Sequence, residues 1–204
     1  MKQKFTKLIE ADEDAFYMSC PETVGEHVAK KLSGYGFKTV VELCCAVGVF
    51  AAQLGKEMES VIGVDIDERR IEAAKYNTRL YNVAKKVQFI CGDVLDENLL
   101  ANIKADVAIL DPDWSAVGTE KSNHVLSMDD TQPSMRKMIE LTKKHITNNI
   151  VARIPKYWTF DIIKEINPCS IETVVWNDKP KFKIAYHLDN IKENIESKLD
   201  LGKR

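Results

Sequence analysis

From Lys38 onward, short runs of β-branched residues alternate with segments whose apolar positions recur every three or four residues. Such alternation predicts parallel strands joined by helices. The predicted strands are Thr39–Cys44, Ser60–Asp65, Val87–Cys91, Ala105–Leu110 and Asn149–Ile154, and the predicted helices are Val49–Lys56, Glu68–Tyr81, Gln132–His145 and Phe160–Ile166. In Glu68–Tyr81, the residues Ile71, Ala74, Thr78 and Tyr81 share one face, and Asp67 and Glu68 suit the positive N-terminal end. After Ile166 the pattern changes: Ser170–Trp176 and Phe182–Leu188 read as a β-hairpin across the turn Asn177-Asp178-Lys179-Pro180. In front, Glu22–Leu32 predicts a helix behind Ser19-Cys20-Pro21, and the first ~16 residues read as a partly ordered arm. Ile191, Ile195 and Leu199, at i, i+4 and i+8, predict a terminal helix. The fold class is therefore α/β, a Rossmann-like, mostly parallel sheet with an antiparallel C-terminal hairpin. It divides into an arm and helix over 1–34, a main domain over 35–190 and a tail over 191–204.

The 204 residues suffice for one α/β domain, and 45% hydrophobic with 29% charged residues argues against disorder. No apolar run approaches the ~18–20 residues that span a bilayer, and Met1-Lys2-Gln3-Lys4-Phe5 opens no hydrophobic leader. The expectation is a cytoplasmic protein without a membrane partner. Five cysteines (Cys20, Cys44, Cys45, Cys91, Cys169) lack C-x-x-C spacing, and four histidines are scattered. They read as free, mostly buried thiols and no metal site. A net charge of −2 gives no support for nonspecific binding to long nucleic acid. Any polyanion must be held by a local patch; Lys143-Lys144-His145 and Lys156-Tyr157-Trp158 are candidates, each also readable as ordinary solvated surface. Lys179, Lys181 and Lys183 alternate on one face, expected to be wet.

The first strand runs through Val40-Val41-Glu42-Leu43-Cys44-Cys45-Ala46-Val47-Gly48 into a helix by a turn of small residues. In open α/β sheets such turns line the ligand crevice. A single glycine, Gly48, disfavours a dinucleotide-type pyrophosphate cradle. Asp65 ends the next strand 23 positions after Glu42, where a carboxylate can bind ribose hydroxyls, and Asp93 ends the third. Three strand-end acids and no phosphate cradle match S-adenosylmethionine better than a nucleotide.

The fourth strand leads into Asp111-Pro112-Asp113-Trp114, which resembles the D/N/S-P-P-Y/W motif of methyltransferases acting on exocyclic or amide nitrogens. The chain is similar to the trimethylguanosine synthase (RNA cap guanine-N2 methyltransferase) family over most of its length. Ser19-Cys20-Pro21-Glu22, Val40 to Gly48, Val61 to Asp67, Asn77, Phe89 to Asp93 and Ile154-Pro155-Lys156 follow the family's motifs in order. The resemblance implies a seven-stranded class I methyltransferase sheet and S-adenosylmethionine as cofactor. It implies that Glu42, Ala46 and Gly48 surround the methionine part and Asp65 with Ile66 the ribose. Asp93 and Val94 would read the adenine, and Asp111 would border the cofactor. Asp111, Pro112 and Trp114 would be catalytic, taking the acceptor N–H groups and stacking on the purine, while Asp113, Ser115 and Lys156 would also contact substrate. The implied partner is RNA or a cap-like guanine nucleotide, bound by a monomer or small homo-oligomer. A cationic 7-methylguanine on Trp114 would add ~0.5–2 kcal/mol of cation–π attraction.

Three departures mark this chain. Asp113 replaces a proline, freeing an N–H and loosening the loop; Ala46 replaces a glycine, which is tolerable only at negative φ; Ser115-Ala116 replaces a glycine pair. Asp113 is a candidate to neutralise a 7-methylguanine ring or, alternatively, a solvated strand terminus. The acceptor therefore stays open between guanine N2, an amino group on another base or a protein amide, and a lapsed module that binds cofactor or RNA without turnover.

Overall fold

The computed structural model describes residues 4–114 and 125–202, which fall into two units, Met1–Asp106 and Val107–Arg204. The first contains α1 (Glu13–Met18), α2 (Glu22–Gly34), β1 (Thr39–Leu43), α3 (Val49–Glu57), β2 (Ser60–Asp65), α4 (Glu68–Leu80), β3 (Val87–Cys91) and α5 (Glu97–Ala101). Its strands are parallel in the order β3-β2-β1, with Val41 opposite Ile62 and Ile62 opposite Gln88. The common direction brings the C-terminal ends of all three strands to one edge. Helix α2 packs on α3, α3 on β2 and α4, and α4 on β2 and β3. Asp67 caps α4 by accepting from Arg69 N, in keeping with the acidic start read from the sequence.

The arm is built into this unit. Phe5 and Ala15 are buried with Val47, Val49 and Ala73. Asn77, fully buried on α4, accepts from Glu10 N (2.8 Å) and donates through Nδ2 to the carbonyls of Glu10 and Val47 (both 2.9 Å). Glu22 accepts from Thr6 N, Thr6 Oγ1 and the Tyr81 hydroxyl. The expected partly ordered arm is corrected: these buried polar anchors, remote in sequence, hold it.

The second unit contains β4 (Val107–Leu110), α6 (Met135–His145), β5 (Ile150–Pro155), β6 (Ser170–Trp176), β7 (Lys179–His187) and β8 (Ile195–Asp200). Strand β5 pairs parallel with β4 and antiparallel with β7; β6 pairs antiparallel with β7 and parallel with β8. The hairpin is as expected, but its turn is shorter. Asn177 and Asp178 adopt φ of 50° and 57°, and β7 begins at Lys179. Left-handed residues at both central positions match the strand twist, and Pro180 lies where the register shifts, a place that tolerates its missing N–H.

Three other expectations are corrected. The terminal helix over 191–204 is a strand, β8, so the chain has eight strands rather than seven among the described residues. A spacing of four is a multiple of two, so Ile195 and Leu199 also fit one strand face, and the free edge of β6 supplies hydrogen-bond partners. Phe160–Ile166 forms turns with one 3-10 turn at Lys164–Ile166, and Asn167 Nδ2 takes the Phe160 carbonyl (3.1 Å) that a helix would have used. Helix α6 begins at Met135, because Gln132 pairs with Asp113 instead. No helix among the described residues is long and apolar enough to cross a membrane.

Replacing Asn77 by alanine is expected to cost about 2–3 kcal/mol, since it leaves the buried Val47 carbonyl and the partly buried N–H and carbonyl of Glu10 without their partner, lowering the melting temperature by roughly 5–10 °C in a chain of this size; calorimetry checks it. At the base of β1, Asp106 Oδ2 accepts from Lys38 N and Thr39 N, each at 2.8 Å. Burial pushes the Asp106 carboxyl up, but the Lys38 and Thr39 N–H groups, the Thr39 hydroxyl and the Lys38 charge outweigh it and hold it below the usual carboxylate range. A carboxyl depressed on folding stabilises above its unfolded value, about pH 4, and loses that contribution as pH falls through the folded value. The melting-temperature gap between the native protein and Asp106→Asn is thus expected to be widest at neutral pH and to close in acid.

Candidate functional site

Strand β1 leaves the first unit's sheet through a turn of unusual backbone. Cys44, Ala46 and Gly48 adopt φ of 68°, 45° and 69°. Only glycine takes this region freely; an L side chain costs roughly 1–2 kcal/mol there. The expectation that Ala46 is tolerated at negative φ is overturned: it sits left-handed, and hydrogen bonds hold it there. Ala46 N donates to Asp65 Oδ2 at 2.7 Å, Cys44 N and Cys45 N both donate to the Val64 carbonyl (2.9 and 3.0 Å), and Gly48 N donates to Cys45 O at 2.9 Å. At Gly48 a Cβ would come within 2.7 Å of Ala74 Cβ and 2.8 Å of Phe89 Cζ, so packing as well as φ demands glycine.

The three strand-end acids have different surroundings. Glu42 is buried within β1. Asp65, also buried, spends one oxygen on Ala46 N and the other on Asp67 N (3.1 Å); a carboxylate accepts about four hydrogen bonds, so capacity remains. Asp93 is exposed, with Oδ1 accepting from Leu95 N at 2.8 Å. Gly92 N donates to the Asp65 carbonyl at 2.9 Å, tying the ends of β2 and β3 together. Beside them Ile66 is 72% exposed, a large apolar surface at the same rim, while Val94 is buried. Burial, followed by the charges of Glu42 and Asp65, pushes the Cys45 thiol up, which makes it a neutral wall residue and not a nucleophile. Of the five free thiols Cys20, Cys45 and Cys169 are buried, Cys44 is partly exposed and Cys91 is exposed.

In the second unit the Asp-Pro-Asp-Trp run follows β4 directly. Asp113 N donates to Gln132 O (2.8 Å) and Gln132 N returns a bond to Asp113 O (2.9 Å). The N–H that a proline would lack is therefore used, and it fixes the loop where loosening was expected. Asp111 Oδ2 accepts from Arg153 Nη1 at 2.7 Å, with the two side chains 12% and 10% exposed. The same guanidinium carbon lies 4.8 Å from the centroid of the Trp114 ring and 5.1 Å from that of Phe182. The Trp114 Nε1 is buried and has no hydrogen-bond partner among the described residues.

Arg153 escaped the sequence reading. Its signal was a lone charge inside the apolar run Ile150–Pro155, a strand buried at every position, where an ionised side chain requires a partner. Lys156 is exposed just beyond this strand, but Trp158 is wholly buried, its Nε1 donating to Val125 O at 2.9 Å, so it belongs to no outer surface. Lys143 donates to Glu165 O, and Lys183 to Trp158 O, so neither lies on the wet face expected of it. Ser115 and Ala116 lie outside the described residues. No group of metal-binding side chains occurs among the described residues.

Comparison with known proteins fits this arrangement. An uncharacterized RNA methyltransferase of Clostridium acetobutylicum is 33% identical over 108 residues, 53% of this chain and 24% of the relative, so the chain spans about a quarter of that protein's length. A protein from Porphyromonas gingivalis assigned to the methyltransferases superposes with a TM-score of 0.64 at 14% identity, over 88% of this chain and 43% of that one. Magnesium protoporphyrin IX methyltransferase of Synechocystis PCC 6803, solved with S-adenosylmethionine bound, gives 0.58 at 17% identity over 82% and 79%. These likenesses identify the fold as that of the class I methyltransferases. Residues 37–196, from the foot of β1 into β8, match the RNA cap guanine-N2 methyltransferases, and the chain belongs to that family.

Proposed function

We propose that the protein transfers a methyl group from S-adenosylmethionine to the exocyclic N2 of guanine in RNA or a cap-like nucleotide. The observation that carries this reading is the family match running through both the strand-end acids and the Asp111–Trp114 motif. The cofactor supplies an electrophilic methyl group on a cationic sulfur. Its ammonium, ribose hydroxyls and adenine amine are hydrogen-bond donors, and the protein's acceptors fit them: acids at three strand ends, with no cradle for phosphate. Glu42, Ala46 and Gly48 would enclose the methionine part. Asp65, with its remaining lone pairs, would take the ribose, Ile66 would cover a flat face, and Asp93 with Val94 would hold the adenine.

The acceptor nitrogen is a poor nucleophile because its lone pair is delocalised into the ring. Catalysis then depends mainly on orientation, with acceptors for the N–H groups as charge develops. Asp111 and the Pro112 carbonyl are the acceptors, Trp114 is the stacking platform, and Asp113 and Lys156 would contact the rest of the substrate. A second reading, a module that holds cofactor without turnover, is favoured by one observation: Arg153 already engages Asp111 and Trp114. Methyl incorporation into 7-methylguanosine-capped RNA, uncapped RNA and total protein separates the two. Transfer to guanine N2 of capped or uncapped RNA supports the proposal, transfer to protein redirects it, and no transfer despite cofactor binding selects the module.

Asp93→Ala removes a charged acceptor worth roughly 1.5–3 kcal/mol and is expected to weaken S-adenosylmethionine binding by about 10–100-fold in calorimetry. Ala46→Gly is expected to raise stability by about 1 kcal/mol by relieving the left-handed strain, with cofactor affinity retained; a lower melting temperature would contradict that strain.

A further inference from the structure

Arg153 stands over the platform on which the proposed acceptor would stack. Its guanidinium is planar, cationic and donates to the Asp111 carboxylate at 2.7 Å while lying 4.8 Å from the Trp114 ring centroid. Phe182 supplies a second aromatic contact at 5.1 Å. The guanine edge has the same chemistry: C2 carries N1, N2 and N3 in one plane, and the N1–H and N2–H groups donate side by side to a carboxylate. Methylation at N7 adds the positive charge. A carboxylate beside an indole thus recognises a planar cation that donates N–H groups, whether it comes from an arginine or from a 7-methylguanine.

We infer that Arg153 is a specificity-determining residue, an internal stand-in for the guanine edge that a guanine acceptor must displace from Asp111 and Trp114. This rests on the reading that these two residues face the acceptor. Displacement by a cation restores both the charge opposite Asp111 and the cation–π contact. Displacement by a neutral base restores neither in full. Arg153 therefore competes with the ligand that uses Asp111 and Trp114 as it does, a 7-methylated guanine foremost, and not with adenosine, which lacks the paired N–H edge. Burial makes the pair consequential: with the two side chains 10% and 12% exposed, water screens the exchange poorly.

The test uses the full chain and Arg153→Ala, with methylguanidinium chloride, 7-methylguanosine, guanosine and adenosine as probes. Millimolar methylguanidinium is expected to raise the melting temperature of the variant but not of the native protein. The variant is expected to bind 7-methylguanosine at least tenfold more tightly than the native protein does, with no such gain for adenosine. In the native protein 7-methylguanosine is expected to bind more tightly than guanosine. A variant stabilised by methylguanidinium whose affinity for 7-methylguanosine is unchanged or lower overturns the inference, leaving Arg153 a structural cation. An equal gain for adenosine also overturns it. If Arg153→Ala does not fold, Arg153→Lys keeps a charge opposite Asp111 and loses the planar cover; it must still gain affinity for 7-methylguanosine or the inference falls. Calorimetry with S-adenosylmethionine and methyl incorporation by the native protein are read in parallel. They report on the proposed activity whatever the probes do.

Discussion

The buried carboxylate of Asp65 is the constraint on which the rest of the first unit depends. One oxygen holds the amide of Ala46 and the other that of Asp67, so a single side chain fixes the turn after β1 and the start of α4. Without it Ala46 would lose the bond that holds it left-handed, a region its residue type does not prefer. The cost of the strained backbone is offset by this ionic hydrogen bonding, which is stronger than that between neutral groups. A turn held in this way keeps its amides and carbonyls in fixed directions, as a site for a zwitterion requires.

The second unit solves a different problem. Strand β5 is buried along its whole length and yet carries a guanidinium. The charge is accommodated by a carboxylate from the neighbouring strand end and two aromatic rings, the combination that lets arginine enter an interior. The loop carrying Asp111 is fastened in turn by the Asp113–Gln132 bridge. Where a proline would hold the loop by a restricted φ, Asp113 holds it by a pair of hydrogen bonds. Arginine and aspartate depend on each other here, and neither can be altered without exposing the other's buried charge.

Much of this fold is legible in the sequence because it rests on local periodicity. Ser60–Asp65, Val87–Cys91 and Ser170–Trp176 are found at the predicted bounds, and the acids at the ends of β2 and β3 follow from those bounds. What the sequence hides is long-range. The order of the arm depends on Asn77 and Tyr81, far along the chain. The identity of β8 depends on the free edge of β6, and α5 is too short to display a period. In the site, the residue types were legible but their partners were not. The φ of Ala46 is set by Asp65, and the cover on Trp114 by Arg153, neither of them a sequence neighbour.

The fastening of the arm also bears on the order in which the chain can fold. Residues 4–22 precede their partners by long stretches of chain: Glu10 must wait 67 positions for Asn77 and Glu22 must wait 59 for Tyr81, while Lys38 lies 68 positions before Asp106. Contacts of such separation slow folding, since the intervening loops must close before any reward arrives. A nascent chain that ends before Asp106 therefore lacks the brace at the foot of β1. The cluster of Phe5 and Val47 is complete once Ala73 is made, whereas the brace at the foot of β1 waits for the last residue of the unit.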